Sequence, residues 1–561
     1  MKILGIWDGH DSGAALIEND TILFAVNEER LTRRKLEICF PKKSIAACLK
    51  YTETKPEDVS IVTCSTSDFA KTLTRLFPSL KEEYYLIRRR KKLPKISAFK
   101  KKLKYKLTEF PPVNATGLIS HYLIKKQLQK SGFQSFRLNI VDHHQAHASA
   151  AAFCSGFERS LVITLDGLGD GASGKIYAYN GKHLELLSCI SSRHSLGIFF
   201  EHVTNLMNMR ELEDEGKVMA LANYAYPVPD QKNPLLKFIK IDGTSVKCAL
   251  SSLKMYDKLK EIYWKYPSEQ FAFMAQRTLE IKVLELVKNA LNKYAYDHLC
   301  LAGGVFSNVK LNRLLRTLPQ LKKCFVFPHM GDGGLAIGSA LVDNYRLNNI
   351  NKIQLDHIFL GPHYSDNEIE QALKIVNLQY TKSSKIVAVT AKKIAKGSIV
   401  FWFQGRMELG PRSLGGRSIL ALPDSNAIKD ELNLRLKKRV WYQPFCPSML
   451  EDDAKEILED YDNIPNPFMT MAYTVKKSKR DIVKGTINVD GSCRPQIVGN
   501  ENPLFYQLLV EIKKLTGHGI VLNTSLNIHG EPLVCSPKDA IKTMIKTKCQ
   551  YLAIHNYWVE N

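Results

Sequence analysis

One run of apolar and polar positions occurs twice in this chain. Residues 2–23 (KILGIWDGHDSGAALIENDTIL) and 161–183 (LVITLDGLGDGASGKIYAYNGKH) each start as an apolar strand ending in Asp-Gly, at Asp8-Gly9 and Asp166-Gly167. Each continues through a Gly/Asp/Ser turn into a second strand and a polar turn, the signature of a hairpin. Repetition at a spacing of about 160 residues predicts a duplicated domain. Around the hairpins, residues 1–65 read as strands with one helix at 42–50, and 66–135 as mostly helical. From 138 onward short apolar strands alternate with helices (LNIVD then HHQAHASAAAF; HLCLA; CFVFP then LAIGSALV), which predicts α/β architecture.

The pattern breaks near 351–365 and then restarts, with helices at 366–376, 388–396 and 425–436 and strands at 398–403, near 468–475 and at 519–524. Two domains are therefore expected, 1–355 and 375–561. The 561 residues are 45% hydrophobic and 24% charged, which fits a globular protein of more than one domain. No apolar run approaches the roughly 18 residues of a membrane span, and the first residues lack the apolar core of a signal peptide. The 12 cysteines are scattered without a CxxC pair, so neither a zinc ribbon nor a disulfide framework is expected, and a reducing cytoplasm fits best. Net charge is +23, which favours anionic partners without choosing among them. Much of it lies between Arg88 and Lys106, a segment without an acid, readable either as a solvated helical excursion or as a docking surface for an anion.

Candidate chemistry collects at strand ends. His143 and His147, four apart at the start of a helix, share one helix face, as metal ligands require. Asp166 ends the first strand of the second hairpin, and Asp332 sits in a Gly-rich turn after CFVFP. Ligands collect at the carboxyl ends of strands in open α/β sheets, and mixed imidazole and carboxylate donors suit iron, manganese or zinc. Gly303-Gly304 and the turn 331–334, each between a strand and a helix, suggest a nucleotide phosphate site. In the second domain, QGRMELGPRSLGGRS (404–418) sets three arginines among glycines after a buried strand, the composition of an anion cradle.

The paired hairpins resemble the actin/hexokinase/sugar-kinase superfamily. At the level of longer motifs, the whole chain resembles the O-carbamoyltransferases that decorate nodulation factors, cephamycins and aminoglycosides. The resemblance is carried by residues 5–16, DHHQAHASAAAF (142–153), LDGLGDG (165–171), DEGKVMALA (214–222), LAGGVFSN (301–308), GDGG (331–334), QGRMELGPRSLGGRSIL (404–420), RPQIV (494–498) and NTSLNIHGEPLVCSP (523–537). It implies a duplicated actin/hexokinase-like two-lobed unit, similar to threonylcarbamoyl-transfer enzymes, followed by a YrdC-like α/β domain. The second domain would make carbamoyl adenylate from carbamoyl phosphate and ATP, and the first would pass the carbamoyl group to a hydroxyl, releasing AMP.

By the same resemblance, His143, His147, Asp166 and Asp332 would hold a divalent metal, with Fe(II) expected. His10 and Asp11 would face the acceptor, His10 being the natural base by its pKa, with Asp214 and Glu215 as alternatives. Glu215, Lys217, Gly303, Gly304 and Asn308 would hold the adenylate. Arg406, Arg412, Arg417, Lys437, Arg439, Ser525 and Asn527 would serve activation. The expected partner is a hydroxylated small molecule or glycan; nucleic acid is not expected, and a homodimer is compatible with the sequence. Val440 and Gln443 depart from the family pattern, which has an acid and an arginine there. The principal alternative is a tRNA threonylcarbamoyl-type enzyme, which shares both folds but lacks the long arginine–glycine loop.

Overall fold

A computed structural model describes residues 1–91, 107, 109–376 and 378–561. Most of the basic segment, from residue 92 to 106, lies outside the described residues. The chain forms two compact units: Met1–Glu28 with Leu36–Leu355, and Glu29–Lys35 with Asp356–Asn561. The short segment Glu29–Lys35, which the sequence reading leaves in the first unit, thus belongs with the second.

The first unit contains the duplication. One sheet comprises β1 (Lys2–Trp7), β2 (Gly13–Glu18), β3 (Thr21–Asn27), β4 (Val59–Ser65) and β5 (Arg137–Val141), in the order β3-β2-β1-β4-β5. The other comprises β6 (Ser160–Gly169), β7 (Ala172–Tyr179), β8 (Leu184–Ser191), β11 (His298–Ala302) and β12 (Lys323–Val326), in the order β8-β7-β6-β11-β12. A small hairpin, β9 (Ile239–Asp242) and β10 (Ser245–Cys248), lies outside both sheets. In each five-stranded sheet the central strand pairs antiparallel with the hairpin partner and parallel with the next strand. The fold class is therefore α/β, with two copies of one actin/hexokinase-like sheet.

Each sheet is followed by a helix that packs on the opposite sheet. Helix His143–Phe153, after β5, lies against β6 and β11, while helix Leu335–Asn348, after β12, lies against β1, β2 and β4. β1 and β6 are covered on both faces, so they read as unbroken apolar runs rather than alternating ones. Two glycines permit the close approach: a Cβ at Gly5 would sit 1.8 Å from the Ala336 carbonyl oxygen, and one at Gly338 would sit 2.1 Å from that of Ala146. The stretch 66–135 supplies helices Phe69–Leu76, Pro78–Arg88 and Asn114–Gln129.

The second unit is built on a mixed eight-stranded sheet. Its strands are β13 (Gln379–Lys382), β14 (Val400–Phe403), β15 (Arg417–Ala421), β16 (Cys446–Leu450), β19 (Gln496–Val498), β20 (Ile520–Ser525), β21 (Tyr551–Ile554) and β22 (Tyr557–Glu560), in the order β13-β22-β21-β14-β15-β20-β16-β19. Successive side chains alternate between two cores: Phe401, Ile419, Leu522 and Leu552 on one face, Trp402, Leu420, Val521 and Ala553 on the other. The expected strand near 468–475 is only two residues long, β17 (Tyr473–Thr474), paired with β18 (Ser492–Cys493). The expected helix 425–436 is α-helical only over Asn426–Asp430 and opens into a π-turn at Glu431–Leu436. Such turns concentrate at functional sites, and this one delivers Lys437.

Candidate functional site

Four side chains from three strand ends converge in the first unit. His143 and His147 lie at the start of the helix after β5, whose first turn is capped by the Asp142 carboxylate accepting from the Gln145 amide. Asp166 comes from β6 where its ladder to β7 is interrupted between Leu165 and Gly169, a bulge that re-aims the side chain. Asp332 comes from the turn after β12. His147 Nε2 lies 3.1 Å from Asp166 Oδ2 and 3.6 Å from Asp332 Oδ1; His143 Nε2 lies 3.6 Å from each of the same oxygens. One ligand atom from each of the four residues lies within 4.8 Å of all the others.

The donor set fits a divalent metal. His143 Nε2 is buried with no hydrogen-bond partner, the state expected of a nitrogen waiting for a cation. Its other ring nitrogen faces Thr66 Oγ1 at 3.3 Å, which sets the ring orientation as an outer-shell partner does. Without a metal, burial pulls the His143 pKa down, but Asp332 and Asp166 outweigh it and carry the value up to about 9. Asp332 is held well below the usual carboxylate range by His10 and His143 despite its burial. Metal binding must therefore displace a proton from the His143 imidazole.

His10 adjoins this centre, with Nε2 3.0 Å from Asp332 Oδ2 and 28% of its side chain exposed. A small, water-sized pocket lies against it, lined also by Leu36, Ile38, Tyr85, Arg88 and Glu213. Asp11 follows in the turn at φ 58°, its carbonyl accepting from Asn27 Nδ2 and its carboxylate 3.8 Å from His329 Nε2. The sequence reading did not single out Asn27 or His329.

The other expected first-unit residues are held in several ways. Glu215 accepts from the Leu212 amide, and burial pushes its pKa up to about 8. Lys217 pairs with Asp214 at 2.8 Å. The Gly303-Gly304 pair passes tightly against β6: a Cβ at Gly303, whose φ is 99°, would meet the Leu165 carbonyl oxygen at 2.2 Å, and one at Gly304 would lie 3.0 Å from Asp166 Oδ1. Asn308 caps helix Val309–Arg316 through the Leu311 amide and exchanges hydrogen bonds with Gln276, which occupies its side chain.

The second unit gathers cations without acids. Arg412, Arg439 and Arg494 lie near one another, and no carboxylate among the described residues forms an ion pair with any of them. Arg494 donates twice to Cys446 Sγ, at 3.0 and 2.8 Å. Arg439 donates to Asn433 Oδ1 and stacks on Phe445. Arg412 Nε and an Arg439 terminal nitrogen are buried without partners. Burial, assisted by Arg494, lowers both the Arg412 and Arg439 pKa values to about 9. Lys437, 2% exposed, donates to Ser525 O and Oγ and to Asn527 O and Oδ1, so three expected residues meet at one ammonium. Burial first, then Arg439 and Lys35, hold its pKa well below that of an ordinary lysine.

The remaining loop arginines face their own backbone. Arg417 is fully buried, donates to the carbonyls of Gln404, Gly405, Gly416 and Pro362, and lies over the Phe403 ring. Arg406 donates to Leu360 and Gly361. Glu408, absent from the sequence reading, accepts at Oε1 from the amides of Leu414, Gly416 and Arg417 and so organises the loop. Of the two departures from the family pattern, Gln443 presents its carbonyl to Asn433, while its Oε1 is buried without a partner.

Comparison with known proteins agrees with this two-unit layout. Residues 2–341 match the family model for the carbamoyltransferase N-terminus and residues 391–561 that for the carbamoyltransferase C-terminus. Nodulation protein NolNO of Sinorhizobium fredii is 31% identical over 567 residues, covering 98% of this chain and 79% of that protein. An uncharacterized protein of Methanocaldococcus jannaschii is 31% identical over 576 residues, covering 99% of both chains. Among solved structures, T. kodakarensis HypF aligns with TM-score 0.35 and 13% identity over 62% of this chain and 48% of that one. No helix among the described residues is long and apolar enough to cross a membrane. With family models matched across both units, the chain belongs to the carbamoyltransferase family.

Proposed function

We propose that the protein is an ATP-dependent O-carbamoyltransferase acting on a hydroxyl of a small-molecule or glycan acceptor. The observation that carries this reading is the acid-free cluster of Arg412, Arg439, Arg494 and Lys437 in a unit of the carbamoyltransferase C-terminus family. Half-buried guanidiniums with buried, unpartnered nitrogens and no counter-ions are costly, and the combined charge of ATP and carbamoyl phosphate offsets that cost. We read this unit as YrdC-like and adenylate-forming. An adenylate requires an oxygen on the carbamoyl carbon, so water first replaces the phosphate of carbamoyl phosphate. The carbamate oxygen then attacks the α-phosphorus of ATP, and pyrophosphate leaves. Fixed cations lower this barrier because they are already oriented where charge develops.

Transfer is assigned to the first unit. His143, His147, Asp166 and Asp332 would hold a divalent metal, for which we propose Fe(II); when bound it supplies Lewis-acid stabilisation of developing negative charge. His10, oriented by Asp332, takes the proton of the acceptor hydroxyl at Nε2. The hydroxyl oxygen bonds to the carbamoyl carbon, and the bond to AMP breaks with its electron pair leaving on the phosphate oxygen. We assign the acceptor hydroxyl to the exposed side of His10, where a small pocket opens. A cytoplasmic setting supplies both co-substrates.

The test is incubation with labelled carbamoyl phosphate, ATP and a panel of hydroxylated acceptors. Pyrophosphate and AMP should appear in equal amounts, each dependent on both co-substrates, with phosphate released from carbamoyl phosphate and label on the acceptor. Failure to release pyrophosphate in response to carbamoyl phosphate would sink the reading.

A further inference from the structure

The segment between β4 and β5 carries an unusual buried group of charges. Asp8, the residue after β1, is 2% exposed and meets three cations from helices Phe69–Leu76 and Pro78–Arg88. Arg75 grips both carboxylate oxygens, at 3.0 and 2.9 Å; Lys71 lies 3.1 Å from one, and Lys81 lies 3.0 Å from the other while also donating to the Asp8 carbonyl. One acid against three bases is poor stabilising chemistry, because desolvating charges outweighs much of their attraction. Burial drags the Lys71 pKa down to about 8, and Asp8, although buried, is held far below the usual carboxylate range by Arg75, Lys71 and Lys81.

Two threads run from this group to the transfer centre. Lys71 stands over the Trp7 ring at 3.8 Å, and the Trp7 indole N–H donates to the His10 carbonyl at 2.8 Å. Arg75 also donates to the carbonyl of Thr66 at 2.7 Å. Thr66 is a β-branched residue at φ 73°, a strained conformation that persists only when its surroundings enforce it. In that conformation its hydroxyl faces His143 Nδ1.

We propose that Arg75, with Lys71 and Lys81 on Asp8, is a positioning device that sets His10 through Trp7 and His143 through Thr66, making the β4–β5 insertion part of the transfer machinery. The proposal rests on the reading of His10 as the base. Outer-shell partners of this kind are worth roughly 10–100-fold. Arg75→Ala should lower the transfer kcat by about that factor, leave acceptor KM within about threefold, and leave adenylate formation unchanged. Arg75→Lys should recover part of the loss.

Trp7→Phe deletes the N–H donor to His10 while keeping an aromatic ring beneath Lys71, so it serves if Arg75→Ala does not fold. It should lower kcat several-fold, measured at a temperature where the variant, somewhat destabilised by the lost ring volume, remains fully folded. A readout independent of activity is the rate at which diethyl pyrocarbonate modifies His10, followed by peptide mass spectrometry; Trp7→Phe should raise it. A raised His10 rate supports the positioning role even if the wild type transfers nothing, in which case the functional reading alone falls. An unchanged His10 rate, or transfer kcat within twofold of wild type in folded Trp7→Phe, overturns the proposal.

Discussion

The two hairpins share a sequence pattern and a strand order, yet their Asp-Gly corners have opposite fates. In the second hairpin the ladder breaks after Leu165, and Asp166 is turned into a cluster with two imidazoles and Asp332. In the first, β1 pairs with β2 up to Trp7–Gly13, and Asp8 turns away into Arg75, Lys71 and Lys81. One carboxylate joins a donor set that fits a divalent metal, and the other is neutralised by an insertion that the second half lacks. Duplication supplied two equivalent acids, and what packs against each decides its chemistry.

The sharpest way to break this contrast is to remove each acid in turn. Asp166→Ala should abolish tight divalent-metal binding and transfer while adenylate formation continues. Asp8→Asn should keep its metal, as measured by elemental analysis of both purified proteins. Equal metal loss in the two variants would erase the distinction.

The second test separates arginines that share one loop. Arg412→Ala should cost adenylate formation roughly 100–1,000-fold with an unchanged melting temperature. Arg417→Ala should instead cost about 3 kcal/mol of stability, since it strands several buried carbonyls. Denaturant unfolding and pyrophosphate release, measured on both, decide the point.

The third concerns pH. The Asp8 pKa is lower in the folded than in the unfolded state. Its contribution to stability is therefore present above the unfolded value of about 3.9 and is lost as pH falls through the folded value. Asp8→Asn should narrow the stability difference between pH 7 and the acid range; an acid limb identical to wild type contradicts the ion cluster. The smallest effect concerns the basic segment 92–106. Neutralising several of its lysines should raise acceptor KM modestly at low salt and not at high salt, because about 0.15 M salt screens charges beyond roughly 8 Å.

The duplication was legible because β1 and β6 are covered on both faces and so must be apolar throughout, and because Asp-Gly corners punctuate them. His143 and His147 were legible from helical spacing. Lys71 and Arg75, also four apart on one helix, offered the same kind of signal, but nothing local says that their common partner is Asp8, some 60 residues earlier. The β17 region was overread, since an apolar stretch can be buried without joining a ladder.

Within the second unit, glycine and arginine density singles out the loop, but density carries no direction. Arg417 begins β15 and is fully buried against backbone carbonyls, whereas Arg412, in the preceding turn, is half-buried with its Nε left unpartnered. Periodicity and punctuation, which act over a few residues, determined the duplicated hairpins, the α/β class and the residue types of the candidate sites. Which carboxylate meets imidazoles, which meets cations, and which arginine is consumed by backbone carbonyls were decided by tertiary structure, because a charge's partner depends on long-range packing that no local pattern encodes.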